Sequence, residues 1–197
     1  MIKHNTRSYF EQYTSFEDKK VLDYGCGSGS FLHFKPHDNY TGVDVRADCI
    51  NENKKKWPQH EWMHINSFNE MYNPQGTETL TLQSQYDICI SYSVITHMRI
   101  NDIVRTVDTL KQHCNNLFLS YYSNKDKFAY DTICKYRKIP NTQWEDISSN
   151  DMFYLYYGNC LWTFFADDFI ADKLGAKSYS TSFPNNDYLG IQRCLVI

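Results

Sequence analysis

Five short apolar runs, each ending in a turn or a helical stretch, constrain this chain more than any other feature. They read "KKVLDYGC" (19–26), "NYTGVDV" (39–45), "EWMHIN" (61–66), "YDICISYS" (86–93) and "NLFLSYYS" (116–123). Their length and their branched and aromatic residues suit buried strands. Helical signals separate them. "GSFLHF" starts a helix, and "RADCINENKKKW" is a polar helix that Pro58 stops. "INDIVRTVDTLKQHC" (100–114) places Ile100, Ile103, Val104, Val107 and Leu110 on one helical face. Residues 69–85, with Asn-Pro and Gln/Thr-rich stretches, read as a loop or a weak helix. Strands alternating with helices specify a parallel sheet with right-handed crossovers.

The pattern breaks at residues 124–160, which are rich in Tyr, Lys and Asn and lack clear periodicity. A helix resumes in "FFADDFIADKLGA" (164–176), with Gly175 as its C-terminal cap. "KSYSTSF" (177–183) and "LGIQRCLVI" (189–197) alternate like strands, and "PNND" between them is turn chemistry. So short a connection permits only antiparallel pairing. The expected fold is a Rossmann-like α/β three-layer sandwich. Its seven-stranded sheet is mostly parallel, with an antiparallel last strand. The 197 residues fit one domain, with no internal repeat and no low-complexity linker. Residues 124–160 are expected to be a substrate cap inserted over the sheet's carboxyl edge, where ligands bind in such folds.

Composition removes several function classes. Net charge is −3, which argues against a nucleic-acid surface, although tRNA stays open. Seven cysteines, none in a C-x-x-C pair, read as reduced buried thiols of a cytoplasmic protein. No apolar run reaches the roughly 18 residues of a membrane span, and the N-terminus carries no signal-peptide pattern. No metal site is expected, since Pro36 interrupts the His33 and His37 pair. The chain is aromatic-rich, with 16 Tyr, 12 Phe and 4 Trp, more than a core needs, so some rings are expected at a pocket or an interface.

The first strand runs into Gly25-Cys26-Gly27-Ser28-Gly29-Ser30. Dinucleotide sites use G-x-G-x-x-G here, with the pyrophosphate at a helix N-terminus. In this chain the third glycine comes one residue early, and Asp23 precedes the turn. At about 4 Å and a near-surface dielectric, a carboxylate and a phosphate repel by roughly 4 kcal/mol. The same acid suits a cationic ligand such as S-adenosylmethionine, which carries a sulfonium and an ammonium but no phosphate. Asp44 ends the second strand, 19 residues after Gly25, where an acid accepts hydrogen bonds from ribose hydroxyls.

"VLDYGCGSGSF", "YTGVDV" and "YDICISYSVITHM", followed by "WTFFADDFIADKLGA" and "RCLVI", together resemble the successive motifs of the class I S-adenosylmethionine-dependent methyltransferases. The resemblance covers most of the chain except 124–160. It implies that Asp23, Gly25, Cys26, Gly27 and Gly29 cradle the methionine part of the cofactor. Asp44 would hold the ribose and Val45 pack on the adenine. The acid that often follows the third strand in that family is missing. Asn66 or Ser67 would supply an acceptor instead, and Phe68 a stacking face. Ser91 and Tyr92 would flank the sulfonium.

Methyl transfer to oxygen also needs a base for the hydroxyl proton. His97, in "SVITHM" after the fourth strand, is the candidate, with capping or packing as its structural alternative. Tyr121 and Tyr122 end the fifth strand, one expected toward the pocket and one toward the core. Tyr13 belongs to an N-terminal aromatic helix, with Tyr9 and Phe10, that would lid the cofactor. The "[DN]-P-P-[YFW]" run of amino-methylating DNA enzymes is replaced by "SYSV", and no Pro-Cys pair occurs. The expected activity is O-methylation of a small molecule or of a sugar or glycan precursor. N-methylation of a small molecule, protein or tRNA remains open. So do a nicotinamide-dependent oxidoreductase and a non-catalytic cofactor-binding protein of the same fold. The oligomeric state is left open.

Overall fold

The computed structural model describes residues 6–33, 35–125, 144–149, 151–157, 160–180 and 192–197. The apolar runs form strands β1 (Val21–Tyr24), β2 (Tyr40–Asp44), β3 (Glu61–His64), β4 (Tyr86–Ser91) and β5 (Cys114–Ser123). Parallel ladders join them in the order β3-β2-β1-β4-β5. The helices are α1 (Thr6–Glu11), α2 (Ala47–Lys56), α3 (Ile100–His113) and α4 (Asp167–Leu174). Gly175 caps α4 in the left-handed conformation, as its sequence predicts.

The helix expected after the glycine turn is a single 3-10 turn, Ser30–Leu32. The chain has only the span to Tyr40 in which to cross over, and Pro36 falls inside it. Two apolar clusters sandwich the sheet. Leu22, Cys89 and Leu119 face Ile103 and Val107 of α3 and Ile170 of α4. Val21, Ile88 and Ile90 face Phe10 of α1, Phe31 and Ile50 of α2. The strand period of two therefore puts Asp23 on the side of Val21 and Tyr24 on the side of Leu22.

The sheet has ten strands among the described residues, three more than the sequence reading, because 144–165 add β6 (Trp144–Ser149), β7 (Met152–Tyr157) and β8 (Cys160–Phe165). These form an antiparallel meander. β8 then joins β5 in parallel at Tyr122 and Ser123, past the last β4 rung at Leu119. The meander thus extends the sheet beyond the point where β4 leaves it. β9 (Ser178–Tyr179) and β10 (Arg193–Val196) pair antiparallel, and β10 pairs antiparallel with β5. The "PNND" turn between them and residues 126–143 of the expected cap lie outside the described residues. No helix among the described residues is long and apolar enough to cross a membrane.

Candidate active site

A cavity of about 230 Å³ opens at the carboxyl ends of β1, β2 and β4. Tyr24, Gly25 and Gly27 form one wall, and Tyr92, Ser93 and Val94 the opposite one. Asp44 and Val45 close a third side, and Phe68, Tyr72 and His97 approach from the loops. A second cavity of about 230 Å³ adjoins it, sharing Tyr24, Phe68 and Met98 as a partition.

The three glycines have three different reasons. All have positive φ, 78° at Gly25, 49° at Gly27 and 73° at Gly29, a region costly for side chains with a Cβ. A Cβ on Gly25 would lie 2.1 Å from Val94 Cγ2, so the two opposing turns interlock there. A Cβ on Gly29 would lie 2.5 Å from the Trp57 ring, and Gly29 is absent from the cavity wall. A Cβ on Gly27 would meet nothing within 4 Å. Gly27 alone therefore turns bare backbone to open cavity.

Asp44 stands beside it. Its Oδ2 accepts the Gly27 N–H at 2.7 Å and its Oδ1 the Arg46 N–H at 2.8 Å. Burial raises its carboxyl, and the two N–H bonds oppose that shift. Each carboxylate oxygen accepts more than one hydrogen bond, so this acid retains capacity for ligand hydroxyls. Val45 and Ile65 supply apolar surface. Phe68 and Tyr72 are the exposed large apolar side chains among the described residues, 47% and 44% exposed, and both flank this cavity. Bare backbone, an acid and aromatic surface suit a nucleoside that carries an amino-acid group.

The wall after β4 is held from a distance. Ser93 has φ 59°, unusual for a residue with a side chain. Its N–H donates to Ser120 Oγ at 2.7 Å, and its Oγ accepts from Gln192 Nε2 at 3.0 Å. Ser120 in turn donates to Gln192 Oε1 at 2.5 Å. Two buried side chains, one on β5 and one beside β10, thus fix a strained residue in the wall, an arrangement common at ligand sites. Tyr9 of α1 donates to the Gln192 carbonyl at 3.0 Å, and its ring meets Tyr92 edge-on at 5.1 Å.

His97 lies in the 3-10 turn Ile95–His97. Its Nδ1 is 2.6 Å from the Leu161 carbonyl oxygen of β8. Its ring stands edge-on to Tyr72 at 5.9 Å and to Trp162 at 6.1 Å.

Of the residues the sequence nominates, Gly25, Gly27, Asp44, Val45, Phe68, Tyr92 and His97 line this cavity. Asp23 does not. It is buried behind the turn, where Tyr40 donates to its Oδ2 at 2.7 Å. Burial raises its carboxyl to about 7, with the Tyr40 bond opposing. Cys26 is buried in the α1/α2-side cluster. Asn66 pairs with Asn73, and Ser67 lines the adjoining cavity. Ser91 is buried in β4, with no hydrogen-bond partner for its Oγ. Tyr121 donates to Asp167 at 2.8 Å, Tyr122 accepts from Gln192 at 3.3 Å, and Tyr13 packs on Tyr9. Neither β5 tyrosine lines the cavity; both are buried. Sequence reasoning misses Ser93 and Gln192, for which no local signal exists. It also misses Tyr72, whose place in a turn-rich aromatic loop is such a signal.

The fold and the cavity define a Rossmann-like methyltransferase, and comparison with known proteins agrees. Residues 3–159 match the family model of the methyltransferase domain. The chain belongs to this family, and its class is that of the S-adenosylmethionine-dependent methyltransferases with a Rossmann-like fold. No curated protein matches it in sequence. Among solved structures it is similar to magnesium protoporphyrin IX methyltransferase from Synechocystis PCC 6803 with bound S-adenosylhomocysteine. That pair has 16% identity and a TM-score of 0.59, covering 96% of this chain and 78% of the other. A methyltransferase from Methanosarcina mazei gives 14% identity and 0.61, covering 95% and 94%. A glycopeptide N-methyltransferase complexed with S-adenosylmethionine gives 10% and 0.62, covering 98% and 93%. At these identities the likeness speaks for the fold.

Proposed function

We propose that this chain is an O-methyltransferase acting on a small molecule or on a sugar or glycan precursor. In this reading the cavity between the glycine turn and residues 92–98 holds S-adenosylmethionine. The observation that carries it is His97 on the cavity wall with Nδ1 committed to the Leu161 carbonyl. A carbonyl oxygen only accepts, so Nδ1 carries the hydrogen and the neutral ring keeps its lone pair on Nε2. An amine acceptor attacks through its own lone pair and needs no strong base.

Gly27 would let the cofactor approach the backbone, Asp44 would accept from its ribose hydroxyls, and Val45 and Phe68 would cover its base. The cofactor supplies a methyl group already activated on a sulfonium. What the chain adds is alignment, water exclusion and proton removal. His97 Nε2 would take the acceptor hydroxyl's proton. The β6–β8 meander, which brings Leu161 and Trp162 to His97, forms the acceptor side.

Release of S-adenosylhomocysteine would be followed with panels of phenols, sugars and amines, comparing wild type with His97→Asn. The expected result is turnover on hydroxyl acceptors that falls roughly 100-fold or more in the variant, the usual contribution of a general base. Turnover confined to amines, or unchanged by the substitution, would overturn the reading.

A further inference from the structure

The turn that carries His97 is tied to β7 and β8 at four points. Nδ1 of His97 lies 2.6 Å from the Leu161 carbonyl oxygen, and the Trp162 ring stands 6.1 Å from the imidazole. Thr163 Oγ1 donates to the Met98 carbonyl at 2.8 Å. The Ile100 N–H donates to the Tyr154 hydroxyl at 3.2 Å. Leu161 and Thr163 are fully buried, so neither bond has water to compete with it. The parallel core does not supply these contacts. β4 ends at Ser91, and the chain reaches His97 only after the strained residue Ser93.

Each tie fixes a different degree of freedom. The Leu161 bond selects the ring nitrogen that carries the hydrogen. The Thr163 and Tyr154 bonds fix the backbone on the C-terminal side of His97, which sets whether the ring reaches Leu161. Thr163 is two residues from Leu161 on one strand, and Met98 is next to His97. The two bonds therefore form a pair of adjacent rungs between β8 and the turn.

We propose that Thr163 and Tyr154 are positioning residues. Through them the β7–β8 strands hold the 97–100 segment so that His97 stays the Nδ1–H tautomer, with its lone pair on Nε2. The proposal rests on the reading of His97 as the base, but its test needs no acceptor. The strands that form the acceptor side then also set the state of the base.

The test uses the full chain labelled with 15N-histidine. Two-bond 15N–1H spectra report the tautomer of each imidazole, and His97→Asn identifies the relevant signal among the seven histidines. An Asn amide retains a donor near the Nδ1 position, so this control keeps the Leu161 bond. Wild type is expected to show His97 mainly as the Nδ1–H tautomer. Thr163→Val should release the segment so that the His97–Leu161 bond is lost, and so move the tautomer ratio by roughly five-fold toward Nε2–H, the equilibrium change that one lost hydrogen bond is worth. Thr163→Ser should restore the wild-type pattern, and Tyr154→Phe should move it in the same direction as Thr163→Val. Melting curves show that each variant is folded, and Tyr154→Phe carries the test if Thr163→Val is not. A wild-type His97 in the Nε2–H or doubly protonated form would overturn the proposal. So would a pattern that neither Thr163→Val nor Tyr154→Phe changes. If the tautomer behaves as expected but His97→Asn keeps full methyl transfer, the clamp stands and the base reading falls.

Discussion

The glycine turn at 25–29 and the turn at 92–98 face each other across one cavity but are held by different parts of the chain. The first is built locally. Its backbone conformations need glycine, and Gly25 and Cys26 N–H groups bond the Val43 carbonyl of the neighbouring strand at 2.7 and 3.0 Å. The second is built from afar. Ser93 is fixed by Ser120 and Gln192, and the residues after it by Leu161, Thr163 and Tyr154. A cavity wall written in backbone is compact in sequence, while a wall written in side chains is dispersed. The two meet at Gly25 and Val94, where close approach leaves no room for a methyl group.

Substitutions at that meeting point should do the most damage. Gly25→Ala combines a left-handed conformation with a clash against Val94, and should cost about 4 kcal/mol of stability. It should also weaken cofactor binding at least about ten-fold, because Val94 must shift into the cavity. Urea denaturation and calorimetry would measure the two effects. Gly29→Ala meets the Trp57 ring, which is only partly buried and can yield. It should cost about 2–3 kcal/mol yet leave cofactor affinity within a factor of two or so. Equal losses of affinity in both variants would erase the distinction drawn between these glycines.

The distant wall has its own test. Gln192→Ala removes a side chain that bonds Ser93, Ser120 and Tyr122, and should cost about 2 kcal/mol through unsatisfied buried groups. Cofactor affinity should fall with it, though Gln192 does not line the cavity. Unchanged affinity would mean that the second wall needs no such support.

The most gradual effect is a slope with pH. Folding raises the Asp23 carboxyl to about 7, from roughly 3.9 in an unfolded chain. The folded state then binds more protons between these values, so stability falls as pH rises from about 4 to 7, by at most about 1.4 kcal/mol per unit. Asp23→Asn should remove this component, seen as a difference between the two melting-temperature profiles across that window. Parallel profiles would show that Asp23 is ionised in the folded protein.

The same contrast explains what the sequence reveals. β1 to β5 are legible because a buried strand is a run of adjacent apolar residues. Asp44 and Gly27 are legible because turn and acid sit at strand ends. The short crossover after Gly29 is less so, since "GSFLHF" carries helical residues and only the span to Tyr40 shortens it. Asp23 is misplaced by sequence reasoning for a simple reason. Its neighbour Tyr40 is 17 residues away, and it covers the carboxylate on the α1/α2 side of the sheet. The β6–β8 meander is illegible because its strands lack alternation that points to one buried face. Ser93 is hidden because nothing local marks a serine held at positive φ.

The central claim is that the cavity between these two turns is the S-adenosylmethionine site, and Gly27 is its most direct probe. Calorimetric titration of S-adenosylmethionine and S-adenosylhomocysteine into wild type and Gly27→Ala would test it. Wild type should bind both. The variant, whose added methyl enters open cavity, should stay folded but bind at least about ten-fold more weakly. No binding of either compound by wild type, or equal binding by a folded Gly27→Ala, would contradict it.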